Sequence, residues 1–175
     1  MMQEWSRLAL EMGFSAAAAL DPRRLVVRPE VRAWCAEDKC GNYDTSWACP
    51  PGCGSLEDCA ALLRRHARGI LLETNLFRDD LEDREALLAG YEAHQARFRD
   101  FAARFCRENP GALLLGAGAC PVCEVCSYPQ APCRNPAARV SSLEACGVLV
   151  EEVCRDCGLP YYTGQNLSFV ACCLI

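Results

Sequence analysis

Residues 69–120 read GILLETNLFRDDLEDREALLAGYEAHQARFRDFAARFCRENPGALLLGAGAC, and this stretch decides the fold. Ile70–Thr74 is rich in apolar residues and follows Gly69, which predicts a strand. From Leu81 to Asn109 the apolar positions fall at Leu87, Tyr91, His94, Phe98, Phe101 and Phe105. Steps alternating between four and three residues fit a helix with one apolar face. Asn109-Pro110-Gly111 stops it, and Ala112–Leu115 predicts a second strand that runs into Gly116-Ala117-Gly118 and a cluster of cysteines. Strand, long helix and strand in succession predict an α/β domain.

The flanks extend the same alternation. Trp5, Leu8 and Met12 share a helical face that Gly13 ends, whereas the run Ala16–Ala19 suits helix or buried strand equally. Leu25–Arg28 reads as a short strand after Pro22. Trp34–Gly54 is rich in turn formers and cysteine. Ser55-Leu56-Glu57-Asp58 has the form of a capping box, opening a helix to about Arg68. A helix from about Leu149 to Cys157 and a strand Ser168–Leu174 complete the chain. The expectation is one α/β domain over residues 1–175, a small mixed sheet flanked by helices, with two cysteine-rich metal-binding loops that each follow a strand.

Fifteen of the 175 residues are cysteine. That is about 9%, a level at which cysteine becomes architecture. The composition is 51% hydrophobic and 23% charged, so a real core is available without disulfide staples. An odd count cannot pair fully within one chain. Glu11 interrupts the apolar stretch Leu8–Leu20, Glu4 beside Arg7 before it leaves no basic region of the kind a secretory signal carries, and no run approaches membrane-spanning length. These points predict a cytoplasmic protein with reduced, metal-binding thiols. The net charge is −5 and the arginines are scattered, which argues against a nucleic-acid partner.

The second cysteine cluster is Cys120, Cys123, Cys126 and Cys133, spaced C-x2-C-x2-C-x6-C and followed by Arg134-Asn135-Pro136. Three cysteines at successive three-residue steps let one loop wrap three corners of a cubane, with a fourth arriving from further along. All-thiolate ligation narrows the choice to iron–sulfur or zinc. Zinc sites more often use two separated C-x2-C knuckles or include histidine. The first cluster is Cys35, Cys40 and Cys49, with Cys53 and Cys59 close behind. Trp34, Tyr43 and Trp47 interleave with it as an apolar shell or as ordinary core. Cys59 falls in the first turn of a capped helix, where the dipole favours a thiolate, and is the preferred fourth ligand over Cys53. A site held by three cysteines alone is the alternative.

The segments C-x4-CGNYDTSWACPPG-x-GSLEDC, GAGACPVCEVCSYPQAPCRNP-x4-SSLEACG and GQNLSFVACCLI closely resemble the cysteine-rich predicted metal-binding family known as domain of unknown function 2284. The resemblance runs from about Val31 to the C-terminus. It implies metal binding at Cys35, Cys40, Cys49 and at Cys120, Cys123, Cys126, Cys133. It often carries a cysteine where Cys59 stands and implies no particular reaction. The additional cysteines near the C-terminus depart from the family pattern.

Eight ligands leave Cys53, Cys106, Cys146, Cys154, Cys157, Cys172 and Cys173. Cys154 and Cys157 share a helical face, but they end a helix rather than open one, so packing is the first reading ahead of a redox dithiol or a third metal site. Cys172 and Cys173 are adjacent on a strand and must face opposite ways. His66 and His94 sit on apolar faces and read as packed residues rather than ligands.

The leading expectation is an iron–sulfur protein with two [4Fe–4S] clusters, in electron transfer or reductive activation of a partner. Arg32, Lys39 and Arg134 lie beside the ligands and would offset cluster charge. The alternatives are an enzyme whose first cluster keeps an open iron for Lewis-acid or sulfur-transfer chemistry, and a zinc-binding interaction module. The redox partner or substrate is open. A cysteine-rich surface could meet a second copy of the chain, and an anaerobic host suits so many reduced thiols.

Overall fold

The computed structural model describes residues 2–77, 83–163 and 165–175. Its helices among these are α1 (Met2–Glu11), α2 (Pro29–Ala36), α3 (Leu56–Leu63), α4 (Arg84–Glu108) and α5 (Val150–Asp156). The strands are β1 (Ala16–Leu20), β2 (Gly69–Phe77), β3 (Leu113–Gly116), β4 (Ser141–Ser142) and β5 (Asn166–Leu174). They form one mixed sheet in the order β1-β2-β5-β3-β4. The β1–β2, β2–β5 and β5–β3 pairs are antiparallel, and β3–β4 is parallel. The α/β expectation therefore holds.

Central strands β2 and β5 pair over their whole length, from Gly69 opposite Leu174 to Phe77 opposite Asn166. Two-residue alternation sends successive side chains to opposite faces. On one face Ile70, Leu72 and Cys173 meet Trp5 of α1 and Phe98, Phe101 and Phe105 of α4. On the other, Leu71, Cys172 and Leu174 meet Leu63 of α3 and Val153 and Cys154 of α5. Cys172 and Cys173 thus lie in separate core halves, as adjacency on a strand requires.

The long helix turns its apolar stripe inward: His94, Phe98, Phe101 and Phe105 are buried. Asp83 caps its start, its side chain accepting from the Glu85 amide. The helix predicted from Leu81 begins in residues outside those described. His94 is held by Thr74, with Nδ1 and Oγ1 2.9 Å apart, among the rings of Phe14, Phe98 and Phe169. Burial pulls its imidazole down to about 4. His66 lies just past the end of α3, half-buried, with Nδ1 3.0 Å from the Leu62 carbonyl. His94 packs in the core.

Several local expectations change. The alanine run forms edge strand β1 rather than helix. Leu25–Arg28 is no strand beyond a single bridge, Val27 opposite Val148, because a 3-10 turn over Pro22–Arg24, capped by Asp21, precedes it. Pro29 then occupies the first turn of α2, where its fixed φ suits helix entry. The first cysteine loop consequently leaves a helix, not a strand. The α3 helix ends at Leu63 rather than near Arg68, and Gly69 opens β2 instead of capping a helix.

The second loop does leave a strand. It departs at Gly116 and returns at β4, which pairs Leu115 with Ser141 and Gly116 with Ser142. Its two ends are therefore fixed side by side at the sheet edge.

Candidate metal centre

The second loop gathers its four cysteines. Cys120, Cys123, Cys126 and Cys133 line one cavity of about 190 Å³ together with Trp47, Ala48, Glu124, Asn135 and Arg139. The Asn135 side-chain amide donates to Cys123 Sγ at 3.3 Å. Backbone N–H donation from Trp47, reinforced by Tyr128, the nearby Arg134 charge and Ser127, lowers the Cys126 thiol below its ordinary range. Donors to sulfur of this kind stabilise thiolate ligands. Arg134 also donates to the Val125 carbonyl, closing the loop on itself. Gly118 starts the turn at φ +70°, and a Cβ there would lie 2.7 Å from the Tyr91 hydroxyl oxygen.

The first loop gathers three. Cys35, Cys40 and Cys49 line a cavity of about 250 Å³ with Tyr43, Pro50, Gly118, Ser142 and Glu144. Cys49 is buried, Cys35 half-buried and Cys40 exposed. Burial raises the Cys35 and Cys49 thiols, and Glu144 adds to the rise at Cys35. Cys35 Sγ lies 3.8 Å from the Glu144 carbonyl.

The two cavities share walls. Thr45–Ala48 of the first loop line the second cavity, while Gly118 of the second loop lines the first. Trp47 joins them, donating from Nε1 to the Ala131 carbonyl at 2.9 Å and meeting Tyr128 edge-on with centroids 4.9 Å apart. The Tyr128 hydroxyl in turn donates to Asp44. The thiols of Cys120 and Cys126 act electrostatically on Cys49, so the two sets lie close. Of the aromatic residues expected around the first set, Tyr43 lines its cavity and Trp47 the neighbouring one. Trp34 is 53% exposed.

Cys59 does not line either cavity. It sits in the first turns of α3, behind a complete capping box of Ser55 and Asp58, as the sequence suggests. There Arg32 donates to its sulfur at 3.5 Å, and the thiols of Cys146 and Cys53 lie near enough to act on it, the Cys53 thiol itself donating to the Ala145 carbonyl at 3.6 Å. The neighbouring thiols of Cys146 and Cys53, with the Arg32 guanidinium, hold Cys59 below its ordinary range, while Cys53 and Cys146 are raised. Sequence reading did not foresee this trio, because Cys146 belongs to a distant segment that only the sheet brings near.

Of the remaining thiols, Cys106 and Cys157 are half-buried. Cys154, Cys172 and Cys173 are fully buried, and burial pushes Cys154 up to about 12. Arg32 serves Cys59 and the Gly54 carbonyl, and Lys39 pairs with Glu37 at 2.6 Å on the surface. Among the described residues no three Cys, His, Asp or Glu side chains converge on a single point as one metal ion requires. No helix there is long and apolar enough to cross a membrane.

Neither a curated protein nor a solved structure significantly matches the chain. A family profile does, from residue 18 to residue 175, reaching further toward the N-terminus than the cysteine motifs themselves. The chain belongs to the family described as predicted metal-binding protein, DUF2284.

Proposed function

We propose that this protein carries two neighbouring [4Fe–4S] clusters and works in electron transfer, delivering electrons to a partner or substrate. The observation that carries this reading is the second cavity, walled by four thiols from one loop at C-x2-C-x2-C-x6-C spacing. The donor set fits the group: soft thiolates suit iron–sulfur clusters and zinc alike, but a single zinc needs its donors drawn to one point. A cubane presents a separate iron to each thiolate, which suits sulfurs spread around a cavity wall. When bound, such clusters supply one-electron transfer at a potential that hydrogen bonds to sulfur and burial adjust. Cys120, Cys123, Cys126 and Cys133 would hold one cluster, with the Asn135 amide and the Trp47 backbone N–H as donors to the ligand sulfurs. Cys35, Cys40 and Cys49 would hold the other.

The placement of Cys59 favours a second reading for the first site. With Cys59 engaged by Cys53, Cys146 and Arg32, three thiols would hold that cluster and one iron would stay open to a small ligand or sulfur species. We take the first site's ligands to be those three alone.

The test is electron paramagnetic resonance of anaerobically purified, dithionite-reduced protein. Clusters under a shared wall should broaden each other's signals, and Cys123→Ser/Cys126→Ser should leave one narrow signal. Adding cyanide should shift the remaining signal if an iron is open and leave it unchanged if Cys59 ligates. Absence of any cluster signal in the reduced wild type would overturn the proposal.

A further inference from the structure

Outside both cavities lies a third space of about 400 Å³, and Cys53, Cys59 and Cys146 all line it. Three neighbouring thiols that line one cavity need a role that the cluster sites do not give them. Cys59 is the thiol of the group that meets a cation: Arg32 donates to its sulfur at 3.5 Å. Arg32 Nε is buried and without a partner, so this guanidinium is not fully engaged by the protein. A sulfur held this way is a nucleophile, and its neighbours are thiols that can displace whatever it captures.

The rim gives the charge of what enters. Arg65 and Arg139 line the same cavity, and among the described residues neither is ion-paired. The one acid of the lining, Asp58, is occupied by the capping box, accepting from the Ser55 amide and hydroxyl at 3.0 and 2.6 Å. A positive mouth over a nucleophilic sulfur selects an anionic reactant.

We propose that Cys59 and Cys146 form a thiol–disulfide exchange pair, Cys59 attacking and Cys146 resolving, for small disulfides that carry carboxylates. The Cys59 sulfur attacks one sulfur of R–S–S–R, forming a mixed disulfide and expelling RS⁻. Cys146 gives its proton to solvent and attacks the Cys59 sulfur, forming the Cys59–Cys146 disulfide and expelling the second RS⁻. Two electrons pass from the protein sulfurs to the small disulfide, and one proton is released. Cys53, whose thiol donates to the Ala145 carbonyl at 3.6 Å, is not consumed. This rests on the reading that Cys35, Cys40 and Cys49 alone hold the first site, so that Cys59 is not a ligand.

The test uses the whole protein, purified anaerobically with whatever its loops contain, and one equivalent of 5,5′-dithiobis(2-nitrobenzoate), a dianionic disulfide. Release of two thionitrobenzoates per disulfide closed should accompany a Cys59–Cys146 linkage in peptide mapping after acid quench and alkylation. Cys146→Ser should stop at a Cys59 mixed disulfide with one thionitrobenzoate released, and Cys53→Ser should still close. Cys59→Ser should lose closure. Arg65→Gln, changed only at the rim, should slow Cys59 modification by the dianion about tenfold while leaving its reaction with cationic cystamine unchanged. Reaction falling on loop cysteines while Cys59 stays free overturns the proposal, as does closure in Cys59→Ser or an equal response of dianion and cation to the rim variant. Because the readout is a mass on Cys59, a colourless or zinc-loaded preparation would count against the iron–sulfur reading alone.

Discussion

Trp47 is the residue whose removal most directly separates the two cysteine loops from each other. It belongs to the first loop, yet its indole N–H bonds the Ala131 carbonyl and its ring meets Tyr128, both in the second. A hydrogen bond of this kind contributes about 1 kcal/mol net. An edge-on aromatic pair adds roughly 0.5–1.5 kcal/mol beyond its buried area. Trp47→Ala therefore weakens loop–loop docking by about 2 kcal/mol, and at 1.4 kcal/mol per factor of ten this is about 30-fold in the closed-to-open ratio. Amide hydrogen exchange reads that ratio directly where local opening limits exchange. Amides of residues 126–134 should exchange about 30-fold faster in Trp47→Ala, while those of β2 and β5 stay unchanged. Trp47→Phe keeps a ring but loses the donor, and about 1 kcal/mol corresponds to roughly fivefold. Unchanged exchange in the second loop, or equal acceleration in the sheet, would refute the idea that Trp47 holds the loops together.

Three further outcomes follow from the core and the loop turn. His94 is kept neutral by burial, down at about 4 against an ordinary 6.5. The unfolded chain therefore binds a proton that the folded one does not, so stability falls as pH drops from 6.5 toward 4, by roughly 3 kcal/mol at most. Urea titrations across that range should show the slope, and His94→Gln should flatten it. Phe101 is fully buried among Trp5, Phe14 and Phe105. Phe101→Ala should cost about 3–5 kcal/mol, seen as a lower denaturation midpoint with both loop cavities still formed. Gly118→Ala forces a side chain into a left-handed backbone at about 1–2 kcal/mol and sets its Cβ against the Tyr91 hydroxyl. Adding Tyr91→Phe should recover part of that loss in a double-mutant cycle, because it removes the colliding oxygen.

How much of this was legible in the sequence varies with the range of the contacts. The α4 stripe was readable because six apolar positions repeat over a long segment, and burial of His94 through Phe105 follows from it. The opposite faces of Cys172 and Cys173 follow from strand period alone. Helix α2 was not foreseen, since eight residues carry little periodicity; Pro29 at its first position was the available signal. The four-cysteine spacing of the second loop foretold a shared cavity, because loop length alone brings those residues together. Its partnership with Trp47 depends on the tertiary fold. Cys59 shows both sides: the capping box and first-turn position were visible, but Cys146 and Arg32 reach it through the fold. With them, Cys59 lines the third cavity rather than that of the first loop.

Elemental analysis of the anaerobically purified protein tests the central claim most directly. Two [4Fe–4S] clusters predict a brown protein with roughly eight iron and eight acid-labile sulfide per chain. A colourless protein with stoichiometric zinc and no acid-labile sulfide would contradict it.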